Sequence, residues 1–436
     1  MIKSIFADLL VDPRKLLVGG FLVCLATMAA HVMDCEFGIT DYLFIILCIV
    51  FLLPLFTLGK VEPRIALEIS DRLGLIFLGV SVALVTYNIS LVGAPLLLLK
   101  IIRGESLEKQ YGFYYHHQFK LSFMVWSLFT VLIPMGFFVK SRVLGAVMVL
   151  WSVVMSTLIQ IKMPFLFGFL YAAFLFKLTG RKIRLMPLAI TGALLLALFA
   201  FVNSTRTGQE LATATYEVGL SETWSQFDPA LWGPASYLAA PIANALLTMQ
   251  FEPFRFDLDG VVKMLPSIIV EPLGTTYDYT EKFPDLKYVR WYEASNIISG
   301  WGHLANNLGV IGMLAFNTGI AFLMVMAAKN HFFAHPLLLS FFLVGCRSCA
   351  LYPVEDYFFE PTALAEFLLL AACFHWGKVD YFAVAPVAEG EAAGAAMAEL
   401  VEAVAPAGEA VAAGTVPAVV EPESVPVPAG RRRARF

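Results

Sequence analysis

Apolar runs long enough to cross a lipid bilayer recur along most of this chain, at 16–32, 42–58, 73–93, 120–138, 143–160, 163–178, 185–203, 304–327, 334–352 and 362–377. A hydrocarbon core about 30 Å thick is crossed by a helix of about 20 apolar residues, and a helix satisfies its own backbone polar groups where no water can. The runs therefore predict an all-α, polytopic integral membrane protein with about ten transmembrane helices. The fifth and sixth runs are separated only by Gln160, Ile161 and Lys162, which predicts a tight helical hairpin. Charged residues make up 15% of the chain and hydrophobic ones 59%. A soluble domain carries about 25% charged residues, so an ordinary soluble protein is excluded. Lys and Arg number 30 against 34 for Asp and Glu, and a net charge of −4 gives no case for a nucleic-acid binder, which normally shows a basic face. The cysteines at 24, 35, 48, 346, 349 and 373 lie mostly in apolar runs without zinc-ligand spacing, and read as small buried hydrophobes. No metal centre is expected.

The Lys/Arg bias of short loops gives the orientation. Lys3, Arg14 and Lys15, then Lys60, Arg64 and Arg72, then Lys140 and Arg142, then Lys177, Arg181, Lys182 and Arg184 fall on alternate sides of successive spans. Those sides are expected to be cytoplasmic, with both termini inside. No small-residue cleavage site follows the first apolar stretch, which is read as a retained span. The organisation expected is an N-terminal membrane region over 1–202, a large loop on the outer face over 203–303 and a C-terminal membrane region over 304–380. A tail over 381–436 completes it, turning to Ala, Val, Pro, Gly and Glu from about 384, a composition that reads as disordered. The large loop holds apolar patches interrupted by Pro241, Pro253, Pro266 and Pro272, and predicts short helices along the membrane surface.

Cations on the outer face are exceptions to the positive-inside bias and call for a reason. Lys162, Arg206, Arg255 and Arg290 are such exceptions, and Arg347 lies inside the ninth run near its outer end, where an ionisable side chain is a functional candidate. Arginine's fork matches phosphate oxygens, so a lipid-linked phosphate or pyrophosphate is the substrate chemistry these positions suggest. His303, where the loop meets the eighth run, is the best general-base candidate, with Glu293 as a carboxylate alternative. Trp291, Tyr292 and Trp301 offer rings for sugar stacking. No Walker A loop, GxSxG elbow, HExxH or dinucleotide turn occurs. Without ATP on the outer face, bond energy must arrive with the substrate.

Two stretches carry a family resemblance: YLAAPIANAL, from Tyr237 to Leu246, and NIISGWGHLANNLGVIG, from Asn296 to Gly312. They resemble the Tyr/Pro segment and the following Asn/Thr and G-x-x-G pattern of the bacterial oligosaccharide repeat unit polymerases, the O-antigen polymerase family. Asn296 and Ser299 stand where the family tends to have Asn and Thr, Gly309 and Gly312 match its glycine pair, and Asn307 replaces a common Asp. The resemblance implies a GT-C-like inner-membrane glycosyltransferase without a cofactor, working among membrane lipids. Its substrates would be undecaprenyl-pyrophosphate-linked oligosaccharides, and a polysaccharide chain-length regulator would be a candidate partner. His303, Glu293 and Arg347 would be catalytic; Lys162, Arg206, Arg255, Arg290, Asn296 and Trp301 would bind pyrophosphate or glycan. An O-antigen ligase sharing the donor, and a flippase or transporter for lipid-linked sugars, are the alternatives.

Overall fold

The computed structural model describes residues 11–59, 65–92, 122–159, 161, 163–181, 194, 197, 221–227, 229–251, 299–329, 335–354 and 361–381. Helix α1 spans Pro13–Ala29 and α2 spans Ile39–Leu52, continued by a tighter 3-10 stretch over Leu53–Leu58. Strand β1, Ile65–Glu68, precedes α3, Asp71–Val92. Next come α4, Ser122–Phe138, α5, Arg142–Leu158, and α6, Met163–Leu178. A short α7, Glu222–Ser225, leads into α8, Pro229–Phe251. The last helices are α9, Gly300–Lys329, α10, Pro336–Leu351, and α11, Pro361–Trp376, and the strand β2, Lys378–Tyr381, follows them.

Local sequence explains several helix starts. Asp12 accepts a hydrogen bond from the Arg14 N–H ahead of Pro13, Ser141 accepts from Leu144 N–H, and His335 Nδ1 accepts from Leu337 N–H ahead of Pro336. Each side chain satisfies a donor that the first helical turn leaves without an intrahelical partner, and proline fits there because it brings no N–H.

Nine of the ten apolar runs correspond to helices; the run at 185–203 lies outside the described residues except for helical Leu194 and Ala197. Ile39–Leu58, Asp71–Ser90 and Leu308–Lys329 are long and apolar enough to cross a membrane, and five shorter apolar helices accompany them. Helix α4 sits at the centre, with Val125, Phe129, Val131, Leu132 and Ile133 fully buried between α3, α5, α6 and α11. Helices α4 and α5 meet through glycines: a Cβ added to Gly145 would lie 2.1 Å from the Gly136 carbonyl oxygen. Such close backbone approach is how helices associate where lipid removes the hydrophobic drive between them. The outer faces are apolar as well, with Ile39, Leu43 and Val50 on α2, Leu75 and Ile76 on α3, and Val143 and Leu150 on α5 all exposed. A buried apolar core inside an apolar exterior suits a helical protein embedded in a membrane and would aggregate in water.

Several segments that the charge bias assigns to one side gather at one end of the bundle. Strand β1 pairs antiparallel with β2, Ile65 opposite Tyr381, and Ile69 bridges to Val139. Asp71 accepts from the Ser141 N–H, and Lys140 reaches Glu68 at 2.8 Å, which holds the Lys140 ammonium above its ordinary pKa. Arg181 donates to the Phe137 carbonyl and lies over the Phe138 ring. Lys329 Nζ lies 3.3 Å from where a Gly59 Cβ would stand.

One expectation is corrected. The large loop is not built only of short surface helices: α8 runs uninterrupted for 23 residues through Pro234 and Pro241. Its Ala239, Ala240 and Ala243 pack on Val32, Met33 and Cys35 beyond the end of α1, and its Ile242, Ala245 and Leu246 join the main core. Proline interrupts a helix by removing one ladder bond, but packed neighbours can re-satisfy what it frees, so in an apolar bundle it does not have to end the helix. The chain divides after Ala383, and the second unit, Val384–Phe436, lies outside the described residues with the tail.

Candidate functional site

The two motif stretches, separated by almost fifty residues in the chain, meet in space. Ser299 N–H donates to the Pro241 carbonyl at 3.2 Å, joining the start of α9 to the middle of α8. Ser299 Oγ then accepts from Gly302 N–H at 3.3 Å, an N-cap for α9, and Gly300 N–H donates to the Tyr352 carbonyl at the end of α10.

Helix α9 is broken at Gly309, where φ is 72° and ψ 170°. That combination is accessible almost exclusively to glycine, because a Cβ would collide with the backbone. The break folds Leu308 back so closely that a Cβ on Gly312 would meet Leu308 Cβ at 2.7 Å. The glycine pair is therefore a device for breaking the helix: one member adopts the backbone angle and the other makes room. The first arm, residues 300–308, carries His303 and Asn307; the second arm, residues 310–329, is the apolar stretch. Tyr352 Oη donates to Asn317 Oδ1 on the second arm at 2.5 Å, and its ring meets Phe21 of α1 edge-on at 6.2 Å.

A second polar cluster lies one turn before the end of α10. Arg347 is fully buried and ion-paired with Glu366 of α11, and the Tyr171 hydroxyl of α6 donates to the same carboxylate oxygen at 2.7 Å. The guanidinium stands 4.7 Å from the centroid of the Phe167 ring. Thr130 of α4 hydrogen-bonds to Glu366 as well. Groups from α4, α6 and α10 thus converge on the α11 carboxylate, and pairing of this kind is what a low-dielectric interior requires of a buried charge. A further buried pair, Asp12 with Arg14 at 2.7 Å, uses its remaining reach on the Leu55 carbonyl.

The candidates named from the sequence separate into three groups. Lys162, Arg206, Arg255, Arg290, Glu293 and Asn296 lie outside the described residues, as do Trp291 and Tyr292. His303 is placed in the first arm of α9 by its backbone. Trp301 and Arg347 are placed in full, and both require correction. Trp301 is wholly buried, with its ring 5.7 Å from the Phe44 ring, so its face is used for packing and not for stacking on a sugar. Arg347 does not present its fork outward: Glu366 already compensates its charge inside the bundle.

Glu366 was missed in the sequence, although a signal existed: it is the sole acidic residue in the 362–377 run and the natural counter-charge to Arg347. Tyr171, Tyr352 and Asn317 carried no such signal, since single polar groups in apolar helices are common. All six cysteines are free and buried, as small hydrophobes would be. Cys35, in the segment after α1, has its thiol pushed up to about 12 by burial and by the neighbouring Asp34 and Asp41 carboxylates. Among the described residues no cluster of His, Cys, Asp and Glu is arranged to hold a metal. No family model matches the chain, and neither a curated protein nor a solved structure does.

Proposed function

We propose that this chain is a polytopic inner-membrane glycosyltransferase that polymerises oligosaccharide repeat units on the outer face of the membrane, with about ten spans, a GT-C-like architecture and cytoplasmic termini. The observation that carries the reading is the meeting of the two resembling stretches, with Ser299 N–H bound to the Pro241 carbonyl beside a glycine-broken helix. Broken helices inside a membrane bundle occur where backbone is needed around a polar ligand or cavity. In this reading a sugar hydroxyl of one lipid-linked unit attacks the anomeric carbon of the glycan on another. The new bond forms between that oxygen and the anomeric carbon, the bond from carbon to phosphate oxygen breaks, and undecaprenyl pyrophosphate leaves with both bonding electrons.

His303 takes the hydroxyl proton in this scheme, with Glu293 as the alternative acceptor. Lys162, Arg206, Arg255 and Arg290 neutralise the charge that develops on the leaving pyrophosphate. Arg347, already neutralised by Glu366, holds α10 against α6 and α11 in place of touching the pyrophosphate. The donor supplies the bond energy, so the scheme calls for no cofactor. Two large substrates held on one surface react as if intramolecular, which is a substantial part of the rate. Reconstitution of the full chain in liposomes with a lipid-linked repeat unit tests the reading: a ladder of extended glycans supports it. Release of single glycans onto a lipid A core acceptor, or transbilayer movement without a new bond, would replace it with a ligase or a flippase.

A further inference from the structure

Tyr352 touches both sides of the break in α9. Its backbone carbonyl accepts from Gly300 N–H at 3.0 Å, at the start of the first arm, and its hydroxyl donates to Asn317 Oδ1 at 2.5 Å, on the second arm. Tyr352 and Asn317 are both almost wholly buried, at 1% and 2% exposure, so water does not compete for either bond. The residue is itself held from behind. Pro353 packs against Gly20 of α1, where an added Cβ would come within 3.0 Å of the proline ring, and Phe21 meets the Tyr352 ring. Five residues earlier on the same chain segment, Arg347 fixes α10 to α11 and α6. The end of α10 is thus a rigid post, and Gly309 is the one point inside α9 where the helix dihedrals fail.

A helix broken at a single glycine has no continuous hydrogen-bond ladder to define the angle between its arms. Something outside the helix must define it, and Tyr352 is bonded to both arms. We propose that Tyr352 is a positioning residue that sets the angle of the first arm, which bears His303, across the break at Gly309. Its hydroxyl fixes the second arm to the post and its carbonyl fixes the first, so the direction of residues 300–308 is referred to the bundle core. The structural part of this proposal stands independently; its catalytic consequence rests on the polymerase reading.

Tyr352→Phe removes only the hydroxyl and leaves the ring against Phe21 and the carbonyl on Gly300. Asn317→Leu removes the acceptor from the other side at similar volume. Amide hydrogen exchange of the full chain in nanodiscs reads the arm directly. Both variants are expected to exchange the second arm around Asn317 about five-fold faster, the factor one ordinary buried hydrogen bond supports, with α4 and α6 unchanged. The double variant is expected to match either single one, because both remove the same bond. In the reconstituted polymerisation assay kcat should fall several-fold at unchanged KM for the lipid-linked substrate, since an arm out of place loses alignment and not affinity. Exchange around Asn317 equal to the unsubstituted protein, exchange that rises uniformly through the bundle, or additive effects in the double variant would each overturn the proposal. If the unsubstituted chain makes no ladder, the polymerase reading fails, and the exchange result still decides the role of Tyr352.

Discussion

Removing one partner of the Arg347–Glu366 pair should cost far more than removing both. Both side chains are buried, and the carboxylate is bound by Arg347 and by the Tyr171 hydroxyl at 2.7 Å. Arg347→Ala leaves Glu366 as an uncompensated buried charge, a loss of about 3–5 kcal/mol, and forfeits the cation–π contact with Phe167 as well. Glu366→Ala leaves the guanidinium equally stranded and is expected to cost the same ~3–5 kcal/mol. The double variant Arg347→Met with Glu366→Leu removes both charges and keeps the volume. What remains is the loss of an acceptor for Tyr171, about 1–3 kcal/mol, partly offset because neither charge is any longer held out of water. The assay is reversible unfolding in mixed detergent micelles, comparing the two single variants with the double one. A double variant within about 2 kcal/mol of the unsubstituted protein, with each single variant well below it, is the expected pattern. Additive losses, or single losses under about 1 kcal/mol, would refute the argument that the pair is a compensated internal network. The same double variant separates two roles of Arg347. Chain extension retained in the stable double variant fits a scaffold, whereas complete loss would return Arg347 to the pyrophosphate.

Other consequences are as specific. Gly309→Ala forces a Cβ onto φ 72° and ψ 170°, at a cost of about 1–3 kcal/mol, and thermal unfolding should register it as a lower midpoint with normal membrane insertion; an unchanged midpoint would mean the break is not there. Gly145→Val places atoms where the Gly136 carbonyl already lies 2.1 Å from an added Cβ, so α4 and α5 must part and the folded yield in detergent should drop sharply; a normal yield would contradict that packing. Cys35, with its pKa pushed up to about 12, should resist maleimide at pH 7.5 in the folded protein and react after unfolding. The sign for stability follows: the folded state holds this proton more tightly than the unfolded chain does. The contribution is therefore whole below pH 9 and is lost as pH climbs from there towards 12. Rapid labelling of folded Cys35 at pH 7.5 would contradict the burial.

Much of the helical frame was legible because lipid imposes a length and an apolarity that the sequence displays directly. The hairpin around Ile161 was predicted from three residues, and α5 and α6 end and begin on either side of it, at Leu158 and Met163. Helix α8 was not legible as one helix, since its prolines carry the sequence signal of interruption while the packing that overrides them is tertiary. The G-x-x-G pair was matched as a motif, but its structural role was not legible: Gly309 takes a backbone angle that no sequence pattern announces. Arg347 was singled out correctly as unusual, because an ionised group in an apolar run must be answered by something. The partner, Glu366, sits nineteen residues away on the next helix, and which neighbour answers is decided by how α10 and α11 pack. Trp301 was read as a ring for sugar stacking, but the N-cap at Ser299 turns the start of α9 into the core and carries the indole with it.

The most direct test of the central claim is stoichiometry: the purified chain in liposomes, supplied with a lipid-linked repeat unit, assayed together for glycosidic bonds formed and undecaprenyl pyrophosphate released. Polymerisation from a pyrophosphate carrier predicts a ladder and one carrier released for every bond, from the first extension onward. Bound substrate with neither ladder nor released carrier would contradict it.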